Sequence, residues 1–192
     1  GGCLYVEKPG ATYSDEEAGS VLARLHQAGD PSIILKRFTG KGSKALDGDG
    51  GCVFVAHGDV VVEDSTFQDT TASENGGAIA AKSSLTVTMK GSNRFYKTKA
   101  LKGRGGGISV VNGVVILMHG DAIFEQTSAQ TGGGALCADG DQCAVQLLNV
   151  SVQINQSHCS PKSDCRGGAI EIRNGALVHI SPHGLLLTTN TT

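Results

Sequence analysis

The sequence predicts an all-β protein, a right-handed, single-stranded parallel β-helix of about five to six coils that forms one domain over residues 1–192. Two phrases recur along the chain: a doubled glycine followed by small or aliphatic residues, and a phenylalanine phrase 17 to 19 residues later. A short β-branched segment lies between them. Three strand-like segments per repeat of 26 to 34 residues, with no helical pattern between them, cannot form βαβ units. Stacked coils would instead bury one continuous core, with neighbouring strands about 4.8 Å apart.

The glycine phrase marks the start of each coil. Its copies begin near residues 1, 50, 76, 105, 133 and 167. A doubled glycine indicates a corner that needs a positive φ or close packing of backbone. The aliphatic residue that follows is expected to face the core and to form a ladder through successive coils, made of Val53, Ile79, Ile108, Leu136 and Ile170.

The phenylalanine phrase predicts two more columns. Phe67, Phe95 and Phe124 should stack as an aromatic column, continued by Ile154 and Leu187. Three residues further along, a hydroxyl column is expected, made of Thr70, Thr98, Thr127 and Ser157. The segment between this phrase and the next glycines varies in length, which places a variable loop just before the glycine corner.

The first coil contains an insertion. Ser14 precedes Glu17 with the spacing of a capping box, and apolar residues then follow at Leu22, Leu25 and Ala28. Gly29 and the proline at position 31 would end a helix there. The pattern predicts a short helix over residues 15–28, with an irregular loop as the alternative.

Composition excludes several classes of protein. Glycine accounts for 28 of the 192 residues, but it does not recur at every third position as in collagen. The net charge of −2 lacks the basic excess of a nucleic-acid-binding protein, so no nucleic-acid partner is predicted. No apolar run approaches the roughly 18 residues of a membrane span, so no membrane span is predicted in this segment.

Six cysteines indicate a covalent framework: Cys3, Cys52, Cys137, Cys143, Cys159 and Cys165. The first two occupy one column in consecutive coils, where a Cα separation near 4.8 Å permits a disulfide bond. Each later pair encloses a polar turn of five residues and can close a local loop. We predict disulfides 3–52, 137–143 and 159–165, with buried free thiols as the alternative.

Three N-glycosylation sequons begin at Asn149, Asn155 and Asn190. Together with the paired cysteines they favour an oxidising compartment, so the predicted location is extracellular or at the cell surface, reached by the secretory pathway.

The GGA[ILV] phrase paired with F-x-x-[NT] resembles the polymorphic outer membrane protein repeats of chlamydiae, and similar repeats in secreted or surface proteins of algae and other eukaryotes. The resemblance covers residues 50–192 and, less cleanly, residues 1–49. The usual Asn of F-x-x-N is replaced by Thr70, Thr98 and Thr127, and it survives only at Asn190. The resemblance implies a surface-exposed adhesive or structural β-helix. The cysteine pairs and sequons favour a eukaryotic extracellular protein over a bacterial one.

Two features suggest ligands. The segment from residue 90 to 104 holds six basic side chains and no acidic one: Lys90, Arg94, Lys97, Lys99, Lys102 and Arg104. It is a candidate patch for an anionic polysaccharide or a phosphate-rich partner, with a solvated loop as the alternative. The phrase Asp-Gly-Asp occurs at residues 47–49 and 139–141 and could supply oxygen ligands to calcium, although ordinary turn chemistry also explains it. No other cofactor or metal is predicted.

The predicted function is that of an extracellular structural or adhesive β-helix segment within a larger surface or secreted protein. Its partners would be other protein chains or further coils joined end to end, and glycans are a second class of partner. The alternative is a polysaccharide-processing lyase or hydrolase, or a glycan-binding β-helix, because enzymes of that kind share the fold. Catalysis is disfavoured because carboxylates, histidines and aromatic residues do not recur in any one outward column, and no catalytic residue is assigned.

Overall fold

A computed structural model of the protein describes residues 4–6, 23–25, 32–56, 59–82, 86–112, 115–148, 151–159, 168–181 and 185–189. Within these ranges the regular structure consists of 24 β-strands arranged in four sheets. Each turn of the chain adds one strand to each sheet, and equivalent strands of successive turns pair in parallel. The protein is therefore a parallel β-solenoid, as the repeat predicts.

Sheet A follows the glycine corner, and sheet B follows sheet A along the chain. Sheet A contains β1 (Leu4–Val6), β6 (Val53–Val55), β10 (Ile79–Lys82), β14 (Ile108–Val111), β18 (Leu136–Asp139) and β22 (Ile170–Arg173). Sheet B contains β2 (Ala23–Leu25), β3 (Ser32–Lys36), β7 (Asp59–Glu63), β11 (Thr86–Lys90), β15 (Val115–Met118), β19 (Ala144–Leu147) and β23 (Leu177–Ile180).

Sheet C carries the phenylalanine phrase, and sheet D completes the turn with strands of two residues. Sheet C contains β4 (Thr39–Lys41), β8 (Thr66–Gln68), β12 (Asn93–Tyr96), β16 (Ala122–Glu125), β20 (Ser151–Asn155) and β24 (Leu185–Thr189). Sheet D contains β5 (Lys44–Ala45), β9 (Thr71–Ala72), β13 (Lys99–Ala100), β17 (Ser128–Ala129) and β21 (His158–Cys159).

The core is a set of apolar ladders, because side chains alternate between the two faces of each strand and the register repeats from turn to turn. The ladder after the glycine corner is confirmed: its residues are paired in register, from Val53 to Ile170. Its first four members are at most 2% exposed. The segment between the two phrases supplies a second ladder, in which Val60, Val87 and Ile116 are fully buried.

The aromatic column is confirmed for three turns and differs in the last one. Phe95 stacks on Phe67 at 5.0 Å between ring centroids and on Phe124 at 4.6 Å, with interplanar angles of 10° and 7°. Ile154 continues the column after Phe124. Leu187 does not, because Thr188 is the residue in register with Ile154. Leu186 packs against the core, so the inward alternation of β24 is displaced by one residue from the prediction.

The hydroxyl column is confirmed as an interior feature, since Thr70, Thr98, Thr127 and Ser157 are fully buried. The Thr127 and Ser157 hydroxyl groups hydrogen-bond each other at 2.6 Å. The column lies at the turn between sheets C and D, where residue 97 and its equivalents have φ values near +54°.

The glycine corner uses its two glycines differently. Gly105 has a φ of 64°, which only glycine adopts without cost. Gly106 packs closely against backbone on two sides: a Cβ atom there would lie 2.2 Å from the oxygen of Gly134, in the next turn of the same corner, and 2.5 Å from the oxygen of Ser128, in sheet D. The two sheets that meet at this corner therefore approach each other backbone to backbone.

Three predictions about the architecture are corrected. Each turn has four strands rather than three, because sheet D is built from strands too short to show an alternation pattern. The described residues hold four complete turns with partial turns at both ends, against the predicted five to six coils. The predicted helix over residues 15–28 is contradicted where the structure describes it, since Ala23–Leu25 form a strand that pairs antiparallel with β3. This pairing covers an edge of sheet B, and such tertiary pairing outweighs weak local helix propensity.

Candidate functional site

The six basic residues of the candidate patch do not converge. Lys90 ends β11 in sheet B, Arg94 lies in sheet C, and Lys99 begins β13 in sheet D. Lys97 occupies the turn between sheets C and D, and the last two lie in the loop before the glycine corner. The segment therefore wraps around one turn of the solenoid and contributes to several faces.

Three of these cations, Arg94, Lys102 and Arg104, are paired with carboxylates. Arg94 Nη2 lies 2.6 Å from Glu125 Oε2, in the next turn of sheet C. Lys102 Nζ lies 3.7 Å from Glu74 Oε1. Exposed pairs of this kind contribute little to stability, about 0–1 kcal/mol each. The pairing neutralises part of the segment, and within the described residues Lys90, Lys97 and Lys99 form no ion pair.

Arg104 belongs to a different site, a polar cluster on the outer face of sheet A. Its backbone N–H donates to Asn75 Oδ1 at 2.9 Å, which holds the loop against the preceding turn. Its side chain crosses the next turns: Nε lies 3.3 Å from Glu171 Oε2, and Nη1 lies 3.9 Å from Asp139 Oδ2. Arg173 approaches the same two carboxylates at 3.5 and 3.7 Å. We call Arg104, Asp139, Glu171 and Arg173 the arginine–carboxylate cluster.

Glu171 is the buried centre of this cluster, with only 4% of its surface exposed. Oε1 of this carboxyl group accepts no hydrogen bond, although Arg173 is near. Burial raises the pKa of Glu171, and the neighbouring guanidinium groups of Arg104 and Arg173 oppose that effect only in part. The Cys137 thiol donates a hydrogen bond to Glu171 Oε2 at 3.6 Å. Burial, reinforced by the charge of Glu171, also raises the pKa of Cys137, so this cysteine stays a thiol and is a poor nucleophile.

We predict that replacing Glu171 with Gln stabilises the protein progressively, relative to the natural chain, as the pH rises. The pKa of this carboxyl is raised in the folded state above its ordinary value of 4.5, so the folded state holds the proton more tightly than the unfolded state. Ionisation therefore lowers the free energy of unfolding as the pH rises from about 4.5 through the folded pKa, and Gln cannot ionise. Urea unfolding of both chains between pH 4 and pH 8 measures the difference. Glu125→Gln removes the same charge from an exposed ion pair and is the control for net charge. The prediction would be contradicted if the stability of Glu171→Gln relative to the natural chain decreased as the pH rises.

The predicted disulfide 137–143 is not formed. Cys137 lies on the outer face of β18 beside Glu171, whereas Cys143 is part of the hydrophobic core. Both are buried free thiols, and Cys143 donates instead to the Asp139 carbonyl oxygen at 3.2 Å. The two side chains lie on opposite faces of the coil wall. The sulfur atoms are therefore not brought together, although only five residues separate the two cysteines. Cys52 is buried, but Cys3 and Cys165 lie outside the described residues. The disulfides 3–52 and 159–165 therefore stay predictions.

The sequons and acidic turns stay predictions. Asn155 ends β20 and is half-buried, while Asn149 and Asn190 lie outside the described residues. Asp49, from the first acidic turn, lies 2.6 Å from Lys82 Nζ and accepts hydrogen bonds from the Asn75 backbone and side chain. Burial by itself would raise the pKa of Asp49, but the Lys82 ammonium group and the hydrogen bonds from Asn75 together outweigh burial and hold the pKa below its ordinary value. Among the described residues, no three His, Cys, Asp or Glu side chains gather as a metal site.

Sequence reasoning missed the arginine–carboxylate cluster because it read Arg104 only as part of a local basic run. The signal was present in the repeat. Cys137 and Glu171 occupy equivalent outward positions after the glycine phrase, and so do Asp139 and Arg173. Superimposing the copies would have placed these side chains side by side, one strand spacing apart.

The last described strand of sheet B forms an apolar edge. Val178 and Ile180 are in register with Val145 and Leu147, which are 2% exposed in the core, yet they are themselves 41% and 44% exposed. Within the described residues, β23 pairs on one side only, with β19. The inward ladder is thus open at this end.

The described part of the chain contains no helix of the length and apolarity that a membrane span requires. Comparisons of the chain with protein-family models, with curated proteins and with solved structures found no match.

Proposed function

We propose that the chain is a structural or adhesive segment of an extracellular β-solenoid, extended end to end by a further coil of the same repeat. The observation that carries this proposal is the open apolar edge at β23. Val178 and Ile180 occupy ladder positions whose counterparts one turn earlier are buried. Burying two such side chains contributes about 1.5–3 kcal/mol each. A further coil placed on this edge would continue both the apolar ladder and the backbone hydrogen bonds.

The wall of the solenoid suits a structural or ligand-presenting role. Its core is a continuous stack in which each turn supplies the same positions, and the four complete turns repeat their pairing register without a break. Parallel stacking of this kind gives an elongated and rigid surface whose outer side chains recur about every 4.8 Å. The proposed extracellular location rests on the N-glycosylation sequons of the sequence.

A polysaccharide-processing role is the second candidate, favoured by one observation. Asp139 and Glu171 form a pair of carboxyl groups on one outer face, and the raised pKa of Glu171 is a property of general acids. The guanidinium groups of Arg104 and Arg173 lie beside both carboxylates and engage them. This engagement favours a structural role for the cluster. Incubation with uronate polysaccharides, with Glu171→Gln as the inactive control, distinguishes the two roles.

We predict that the chain associates through the β23 edge. The double variant Val178→Lys, Ile180→Lys should remain monomeric, because two ammonium groups on the ladder positions cannot be buried at low cost. Light scattering coupled to size-exclusion chromatography, over a range of protein concentrations, measures the association. The matched control is Leu177→Lys, His179→Lys, which adds two lysines to the outward positions of the same strand. A natural chain that is monomeric at every concentration, or equal effects of both variants, would overturn the proposal.

A further inference from the structure

The outer face of sheet D carries a groove that runs across its strands. The groove has a volume of about 270 Å³ and is lined in part by Lys99, Ser128 and His158. These three residues are in register in successive turns and begin their strands. Lys44 and Thr71 precede them in the same column. The first position of sheet D therefore alternates between a basic and a hydroxyl side chain over five turns.

Small side chains make room for the groove. Ala100 and Ala129 follow the basic and hydroxyl residues in their strands and are 3–4% exposed. They line the groove but lie outside the main hydrophobic core. Leu101 lines the same groove and is 55% exposed. The groove thus combines a shallow apolar lining with polar groups at a regular spacing.

The column of residues that crosses the groove also carries positive charge, on Lys99 in the groove and on Lys44 two turns before it. Within the described residues, no carboxylate lies within ion-pair distance of Lys44 or Lys99, whereas the nearby Glu74 and Glu125 are already engaged by Lys102 and Arg94. Lys44 and Lys99 are two strands apart, roughly 10 Å, and so are Lys99 and His158. An extended polymer that carries anionic groups along its length could meet these basic groups in succession.

We propose that this groove binds an extended acidic polysaccharide that carries carboxylate or sulfate groups. The proposal rests on the proposed function in one respect, that the outer wall presents a binding surface. A sugar ring offers an apolar C–H face and a rim of hydroxyl groups, which match Leu101 and the alternating Ser128 and Lys99. An acidic peptide fits less well, because the groove crosses the strands and the sheet D backbone already pairs between turns, so a peptide cannot add as a strand.

The test measures binding of fluorescently labelled oligogalacturonate and of a sulfated oligosaccharide to the 192-residue chain, at low and at physiological salt. Lys99→Gln should weaken binding by about fivefold or more, as expected when a partly desolvated charge contact is lost. Ser128→Glu should abolish it, because it places a carboxylate between Lys99 and His158. Lys90→Gln is the matched control: it removes the same charge from the same segment, at the end of β11 in sheet B, and should leave binding within about twofold.

Several results would overturn the proposal. Equal losses for Lys90→Gln and Lys99→Gln would reduce the effect to net charge, and binding of neither oligosaccharide would contradict it directly. If polyglutamate binds as tightly and depends equally on Lys99, the ligand is an acidic polypeptide instead. Circular dichroism verifies that each variant is folded. The Val178→Lys, Ile180→Lys variant separates this proposal from the previous one, since it should lose association while its affinity for the oligosaccharide is unchanged.

Discussion

Replacing Phe95 with Asp is expected to unfold the protein. The Phe95 ring is fully buried and lies between the rings of Phe67 and Phe124, at centroid distances of 5.0 and 4.6 Å. Removing a buried aromatic ring costs about 3–5 kcal/mol, and placing a carboxyl group in its position adds several more. A domain of this size is stable by only about 5–15 kcal/mol. Far-UV circular dichroism during urea denaturation should show a transition at a much lower urea concentration, or none.

Tyr96→Ser is the matched control for this prediction. Tyr96 is the next residue of β12 and lies on the outer face of sheet C, where its ring contacts Lys97 at 5.0 Å and Arg94 at 5.4 Å from the ring centroid. Exposed cation–π contacts contribute about 0.5–1 kcal/mol, so the loss should be of that order. Equal destabilisation by the two variants would contradict the register of sheet C.

The ladders could be predicted from the sequence because a solenoid repeats one local solution. Val53, Ile79 and Ile108 follow the same glycine phrase, and that phrase fixes their inward direction in every turn. A single strand would not have sufficed, since a short apolar run is compatible with several structures. Repetition at a constant offset removed this ambiguity for the core.

The end turns were less predictable because their sequences depart from the repeat. The three leucines of β24 allow two registers, and the phrase alignment selected Leu187 where the structure places Thr188. The strand Ala23–Leu25 carries a helical pattern of apolar residues, but it pairs with β3 at the edge of the sheet. In both cases a tertiary contact at an end of the stack decides what local sequence leaves open.

The candidate sites depend on side-chain reach, which spacing along the chain does not report. Arg104 contacts Glu171, two turns away in the stack, because a long guanidinium side chain spans more than one strand spacing. Cys137 and Cys143 are close in sequence and still face opposite sides of the wall. The groove on sheet D was missed for a related reason: strands of two residues show no alternation from which an outer face could be recognised.

Gly106→Ala should destabilise the protein by about 3 kcal/mol or more, although it adds only one methyl group. The new Cβ would lie 2.2 Å from the Gly134 oxygen and 2.5 Å from the Ser128 oxygen, and both atoms belong to the backbone. Both residues are tied to neighbouring turns by backbone hydrogen bonds, from the Ser128 N–H to the Thr98 oxygen and from the Gly134 N–H to the Gly168 oxygen, each at 2.9 Å. The walls of sheets A and D must therefore separate, or the turn must open. Urea denaturation monitored by circular dichroism measures the loss.

Gly42→Asn distinguishes this steric cause from a general intolerance of glycine replacement. Gly42 has a φ of 70°, and a Cβ placed there meets no atom within 4 Å. Asn adopts this left-handed conformation more readily than other residues, so its cost should stay near 1 kcal/mol. Combining Gly106→Ala with Gly134→Ala in the next turn should lower the free energy of unfolding by more than either change alone. The two sites are in direct contact, since the Cβ added at Gly106 meets the Gly134 oxygen. If Gly106→Ala proves as mild as Gly42→Asn, the two walls are farther apart than the structure places them, and the glycine phrase is needed only for its turn.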